Sequence, residues 1–336
     1  MVATVAADSM IPSCRPDVLP SDRLTGAARP IPELREHLRE ISGRCNAWTV
    51  IGAWAQSLGV VAAAAVIDRW WAYALAFILM GRAFVLLNIL AHESAHRLLF
   101  DRRWLNDGVG RWMLAYPAFT PLDAYRRAHM AHHRDELGPA EPDRSLYAGY
   151  PITAGSMARK LTRDGVGISG WKNLRPLLVA LTKPASRSAA ARLFCVQLLV
   201  AVALTVAGEL LDGVWWLYPL LWLGPWLTVW RVLNRLRAIA EHGGMIQSED
   251  RRMTTHVVRQ HLWARFWIVP YHTGWHLAHH VDSGIPWRQL PALHDELAAS
   301  GWVTPDLTYR SYWELWRALA SRPRSSPLHG SVSPAS

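Results

Sequence analysis

Four stretches of this chain are long and apolar enough to cross a bilayer, and nothing else in the sequence limits its fold so strongly. Residues 47–67, 70–90, 193–211 and 214–232 are nearly uncharged, and each approaches the roughly 20 residues that a helix needs to span a hydrocarbon core. Asp68-Arg69 joins the first pair and Asp212-Gly213 the second, so the four read as two helical hairpins. The second stretch runs without a breaker into AHESAHRLLF, which extends its helix beyond the membrane surface. Nineteen Trp and a hydrophobic fraction of 51% fit a membrane protein.

Charge placement separates spans from buried helices of a large soluble protein. Almost every Lys and Arg lies before Ala47, between Arg97 and Arg192, or after Trp230, and the two short turns carry one basic residue between them. By the positive-inside rule both termini and the long middle segment are expected in the cytoplasm, in a multi-pass integral membrane protein. The same distribution accounts for the net charge of +10 without a nucleic-acid partner. The run WKNLRPLLVALTK, residues 171–183, mixes Leu at helical spacing with Trp and basic residues, as a helix on the cytoplasmic leaflet would. Cys14, Cys45 and Cys195 have no paired spacing, which suits a reducing compartment. Asp8 interrupts the apolar start and no basic region precedes it, against a cleaved signal peptide.

Residues 1–43, rich in Pro, Arg, Asp and Ser, read as a partly disordered cytoplasmic tail without a core, holding one short amphipathic helix around residues 33–41. Residues 44–320 form the membrane domain and 321–336 a disordered tail. The expected fold is all-α: four transmembrane helices and a cytoplasmic helical cap.

Eight of the fifteen histidines fall in three motifs: His92 and His96 in HESAH, His129, His132 and His133 in HMAHH, and His276, His279 and His280 in HLAHH. Helical residues four apart lie about 40° apart around the axis, so each motif turns its imidazoles to one side. A lone histidine on an apolar helix is usually a satisfied core residue, but three motifs together are not explained that way. All three fall where the topology allows them to meet on the cytoplasmic face. Eight imidazoles exceed the about four to six positions of one ion, which points to two metals, and imidazole suits iron, copper, nickel and zinc.

The order HxxxH, HxxHH, HxxHH, with hairpins between the boxes, resembles the membrane fatty-acid desaturase superfamily from about residue 47 to residue 297. HRDELGPAEPD after the second box, EHGG at residues 241–244 and HLAHHVDSGIPWRQLPALHDEL around the third box are further matches. The resemblance implies a histidine-rich di-iron site of two Fe ions, O2 as co-substrate and a fatty-acyl lipid as substrate. It also makes His242 the histidine that completes the metal sphere after the fourth span. His272 stands where related sequences frequently carry Asn and is assigned no ligand role. No HPGG signature of a fused cytochrome b5 domain occurs, so electrons are expected from a separate ferredoxin- or cytochrome b5-type protein with its reductase. The expected reaction is desaturation; hydroxylases and carotenoid ketolases share these motifs.

Other readings compete. HESAH satisfies the zinc-protease pattern HExxH, and Leu211-Asp212-Gly213 resembles the motif that gives some membrane proteases a third ligand. The topology, however, separates Asp212 from His92 by roughly the 30 Å core. A ferritin-like bundle needs two Glu-x-x-His motifs, and only Glu93 to His96 clearly offers one. A metal transporter would place its site near the bilayer midplane.

Three further readings concern polar residues. Glu93, Asp143 and Glu241 are candidates to orient imidazole N–H groups, or else are ordinary exposed charges. Arg82, mid-span, should face the bundle with Gln197 as a possible partner, or else line water-filled access to the active site. Glu209, near a span end, should reach the interface.

Overall fold

The computed structural model describes residues 10–19, 21–212 and 214–322. In chain order its helices are α1 (Pro32–Leu38), α2 (Gly43–Ile67), α3 (Trp70–Ala95), α4 (Arg103–Gly108), α5 (Leu122–Arg134), α6 (Arg144–Tyr147), α7 (Ala154–Gly165) and α8 (Ile168–Ala180). Then follow α9 (Pro184–Asp212), α10 (Gly224–Leu227), α11 (Val229–His242), α12 (Leu262–Trp267), α13 (His276–Val281), α14 (Leu290–Ala299) and α15 (Tyr312–Leu319). Two short strands, β1 (Val257–Val258) and β2 (Thr308–Tyr309), pair in parallel.

Three of these helices are long and apolar enough to cross a membrane: α2, α3 and residues Pro184–Leu211 of α9. Asp68 at φ 44° turns α2 into α3, and its carboxylate accepts a hydrogen bond from the Tyr73 hydroxyl at 3.1 Å. The fourth expected span, residues 214–232, is not one uninterrupted helix. It divides into a π-helical segment, Pro219–Leu223, then α10, then α11, with non-helical Thr228 (φ −123°, ψ −85°) between the last two. Pro219 and Pro225 lack the N–H that an unbroken ladder needs there, and a prolyl ring clashes with the carbonyl four residues back.

α3 is the central rod, buried along most of its length. Gly81 lets α11 approach it closely, since a Cβ at that position would fall 2.2 Å from Val229 Cγ1. Its C-terminal end is clamped. Asn106 donates to the Ser94 carbonyl at 3.0 Å and accepts from Leu99 N–H at 3.1 Å. Arg126 of α5 donates to the carbonyls of Ala95 (2.9 Å) and Ser94 (3.0 Å), giving the last turn of α3 the cationic partner that a helix C-terminus favours.

Two sequence expectations need correction. The N-terminal region is not without a core: Leu24, Ala28, Leu34 and Leu38 are buried against Leu277, Val281, Ile285 and Leu293, covering α13. Arg23 pairs with Glu296, and Arg35 with Asp282, across that seam. The short helix is found at Pro32–Leu38. Gln197 is not the partner of Arg82. It donates to the carbonyls of Tyr116 and Pro117, whereas Arg82 donates to Gln56 Oε1 and to the Phe266 carbonyl, each at 2.9 Å. Apart from Ser321 and Arg322, the expected C-terminal tail lies outside the described residues.

Candidate metal centre

Four helices bring the nine expected histidines together. α3 ends with His92 and His96, α5 carries the second box, α11 ends at His242, and α13 carries the third box. Their ring nitrogens divide into two adjoining groups. In the first, donor atoms of His92, His96, His129, His133 and His279 all lie within 4.8 Å of one another. In the second, His132, His242 and His280 gather in the same way, and His276 Nε2 lies 3.1 Å from His242 Nε2 and 3.0 Å from His280 Nε2.

Helical geometry makes this division. Residues four apart share a face, so His129 and His133 go together to the first group and His276 and His280 to the second. The remaining member of each box sits around the helix from that pair and reaches the other group, His132 from α5 and His279 from α13. Each HxxHH motif thus serves both groups.

Carboxylates buttress the second group. Glu136, fully buried, lies 3.3 Å from His242 Nδ1 and 3.1 Å from His280 Nδ1, and receives hydrogen bonds from Arg251 and, at 2.8 Å, from Thr255. Glu141 bonds His132 Nδ1 and the Tyr147 hydroxyl. Glu241 lies 3.4 Å from His276 Nδ1 and is paired with Arg237 at 2.7 Å. His242 Nδ1 also lies 2.9 Å from the Thr254 carbonyl, so its proton belongs there and Nε2 presents a lone pair. Among the described residues no carboxylate is paired with the first five histidines.

Burial pushes the His96 imidazole down to about 3 and the His280 imidazole to about 4, with His129, His133, His276 and His279 also lowered. Burial alone would raise the Glu136 carboxyl, yet the imidazoles of His280 and His242 hold it well below the usual value. His242 differs, since against the lowering effect of burial Glu136 raises it; for the others a neutral imidazole, and for Glu136 an ionised carboxylate, are the states that metal binding needs.

The donors fit a metal. His92 Nε2 is buried with no hydrogen-bond partner. His129 Nε2 lies 2.9 Å from His96 Nε2 and 3.1 Å from His133 Nε2, and one proton can bridge only one such pair. A cation satisfies all the converging lone pairs at once, and clusters built of imidazole are compatible with iron. A cavity of about 150 Å³ touches both groups, lined by His92, His129, His132, His242 and His276 and also by Asn234 and Arg237.

Glu136, Glu141, Tyr147 and the Thr254 carbonyl were not singled out in the sequence. Glu136 and Glu141 lie within the HRDELGPAEPD run, where acids three and eight residues beyond the second box were the available signal. Of the three expected carboxylates, Glu241 meets an imidazole, Asp143 lines the cavity, and Glu93 instead accepts the backbone N–H of Trp287 at 3.1 Å. His272 stacks on Trp287, outside both groups. His92 and His96 gather with three other imidazoles, an arrangement that a lone zinc site of the HExxH type does not call for.

A family model described as fatty acid desaturase matches residues 68–315. The dihydrorhizobitoxine desaturase of Bradyrhizobium elkanii is 28% identical over 240 residues, covering 66% of this chain and 66% of that protein, just under two thirds of its length. The sn-1 oleoyl-lipid 12-desaturase of Anabaena variabilis is 23% identical over 290 residues, 80% of this chain and 69% of the relative. An sn-1 acyl-lipid omega-3 desaturase (ferredoxin) of Nostoc sp. (strain 36) is 28% identical over 92 residues, 27% of this chain and 24% of the relative.

Proposed function

This chain belongs to the fatty acid desaturase family, and on that premise we propose that it removes two vicinal hydrogens from a fatty-acyl chain in an O2-dependent reaction. The observation that carries the reading is the pair of adjoining imidazole groups bordering one cavity. His92, His96, His129, His133 and His279 would hold one iron, and His132, His242, His276 and His280 a second. Iron in these positions, with O2 and two electrons, would supply the oxidising strength for an unactivated C–H bond that no side chain has.

The protein's own contribution is positional. Glu136, Glu141, Glu241 and the Thr254 carbonyl fix the orientation of four imidazoles. The cavity admits the reacting carbons beside both groups, and the surrounding bundle excludes water. In the proposed topology residues 214–232 cross the membrane as a broken fourth span, completing two hairpins, with the histidine cap and both termini in the cytoplasm. The Nostoc relative, named as a ferredoxin desaturase, supports a ferredoxin-type donor.

A second reading concerns the substrate. The relative matched over 240 residues is named for dihydrorhizobitoxine rather than for an acyl lipid, and Arg237 and Asn234 give the cavity a polar wall that a hydrocarbon does not need. Cells expressing the protein, fed a deuterated saturated fatty acid, distinguish the cases by mass spectrometry. Loss of two vicinal deuteriums, dependent on His276, His279 and His280, is the expected result. A hydroxylated or keto product as the main species would overturn desaturation, and no turnover of any acyl substrate by the iron-loaded protein would leave the second substrate class.

A further inference from the structure

Between α2 and α3, lined by no residue of α9 or α11, runs an apolar groove of about 420 Å³, a volume ordinary for a small-molecule site. Small residues make it. Gly59 and Ala63 from α2, and Ala72 and Ala76 from α3, leave room that larger side chains would fill, and Ile67, Trp71 and Leu75 wall it toward the external turn. No histidine of either imidazole group lines it, so it is separate from the candidate metal centre.

The opposite end of the groove is charged. Arg82, Gln56 and Phe266 close it, and the Arg82 guanidinium stacks over the Phe266 ring at 3.9 Å. Gln56 and the Phe266 carbonyl take two of its five N–H donors, and among the described residues no carboxylate pairs with it. An unpaired guanidinium within an apolar span costs several kcal/mol unless something anionic meets it. Arg82 lies twelve residues along α3 from Trp70, about 18 Å at about 1.5 Å per residue. That is well inside a hydrocarbon core of roughly 30 Å, below the level of phospholipid headgroups. An anion able to reach this depth is one carried on a single apolar chain. From Arg82 to Trp71 the groove runs about 16 Å, close to the half-core that one leaflet's acyl chains fill. Tyr271 next to this end is pushed up to about 12 by burial, against the opposing pull of Arg82 and Arg288, so the neighbouring hydroxyl is neutral and supplies no counter-charge.

We propose that this groove binds one long-chain fatty acid, its carboxylate on Arg82 and its tail along Ala76, Ala63 and Ala72 toward the external turn, as a site distinct from the metal centre. The guanidinium fork matches a carboxylate in geometry, and in a low-dielectric groove such a bond is strong. This inference depends on membrane insertion of α2 and α3 but not on the proposed reaction.

The test is equilibrium binding of radiolabelled palmitate to the full-length protein in phosphatidylcholine nanodiscs. Saturable binding near one per chain is expected, weakened at least tenfold by Arg82→Gln and by Ala63→Phe, which fills the groove from an exposed position. The His276→Ala/His279→Ala variant should bind as the unaltered protein does. Methyl palmitate, which lacks the charge, should compete poorly with the unaltered protein, a measurement that needs no variant. Absence of saturable binding overturns the site. So does binding lost with the histidines and indifferent to Arg82 and Ala63, which would place the chain at the metal centre. Stronger competition by phosphatidylglycerol than by unlabelled palmitate would equally overturn it, in favour of a headgroup.

Discussion

The two imidazole groups share α5 and α13, the first adding α3 and the second α11, yet they differ more in what stands behind them. Among the described residues the first takes five histidines and no carboxylate; the second takes four, with Glu136, Glu141 and Glu241 set against their Nδ1 atoms. In the first group orientation comes from helix packing, through the clamped end of α3 and its contacts with α5. In the second it comes from carboxylates set close to the rings, with hydrogen bonds at His132 and His242, and three negative charges accompany them. The second group should therefore favour the more highly charged state of a bound ion, while the first depends on rigidity.

The largest effect should follow from changing the second box, which serves both. His129→Ala/His132→Ala/His133→Ala removes two ligands from the first group and one from the second, and should abolish activity and iron binding while membrane insertion continues. Turnover near normal in that variant, measured with iron content in the same preparation, would refute the assignment. Glu136→Ala should then separate the groups, with iron falling from about two per chain toward one and activity falling about 10–100-fold, the usual cost of losing a group that orients a ligand. Equal loss of both irons by elemental analysis and Mössbauer spectroscopy would show that the groups are not independent.

The next effect is on pH dependence. In the metal-free protein His96 and His280 have pKa values of about 3 and about 4, below the ordinary value near 6.5, so between those limits the unfolded chain holds more protons than the folded one. Metal-free protein should lose stability as pH falls from about 6.5 toward 4. Melting temperatures at pH 7.5, 6 and 5 would show it, and a flat profile would contradict the burial of these rings. The smallest effect on chemistry should come from Leu34→Ala. It opens a cavity behind α13 and should cost about 2–4 kcal/mol of stability, with activity per bound iron unchanged. A change in activity per iron would show that the N-terminal segment positions the third box.

What was legible of the site in the sequence had periodicity behind it. All nine histidines that the motifs and the resemblance singled out are gathered, because spacings of three and four residues survive any detail of packing. α2, α3 and α9 were visible for a different reason, their length without charge. The carboxylates were harder to see: Glu136 and Glu141 lie in an irregular segment after α5, where no period tells which acid turns inward. Composition misled at the N-terminus, since Pro and Arg around Leu24, Leu34 and Leu38 disguised an apolar seam that exists only once α13 and α14 lie beneath it. Arg82 was paired with Gln197 by depth alone. Depth does not give azimuth, and Gln56 lies on the facing side of the neighbouring helix.

α3 is one unbroken rod of 26 residues, about 39 Å long, whose far end holds His92 and His96 while its other end turns at Asp68. A rigid bar cannot tilt at one end only. Lipids of a different length change the preferred tilt of a spanning helix, and any such rotation swings these two imidazoles against His279, which rides on a short helix outside the spans. The host bilayer's thickness thus acts on the first imidazole group as a lever arm, while the second, carried by α5, α11 and α13, has no ligand on that bar.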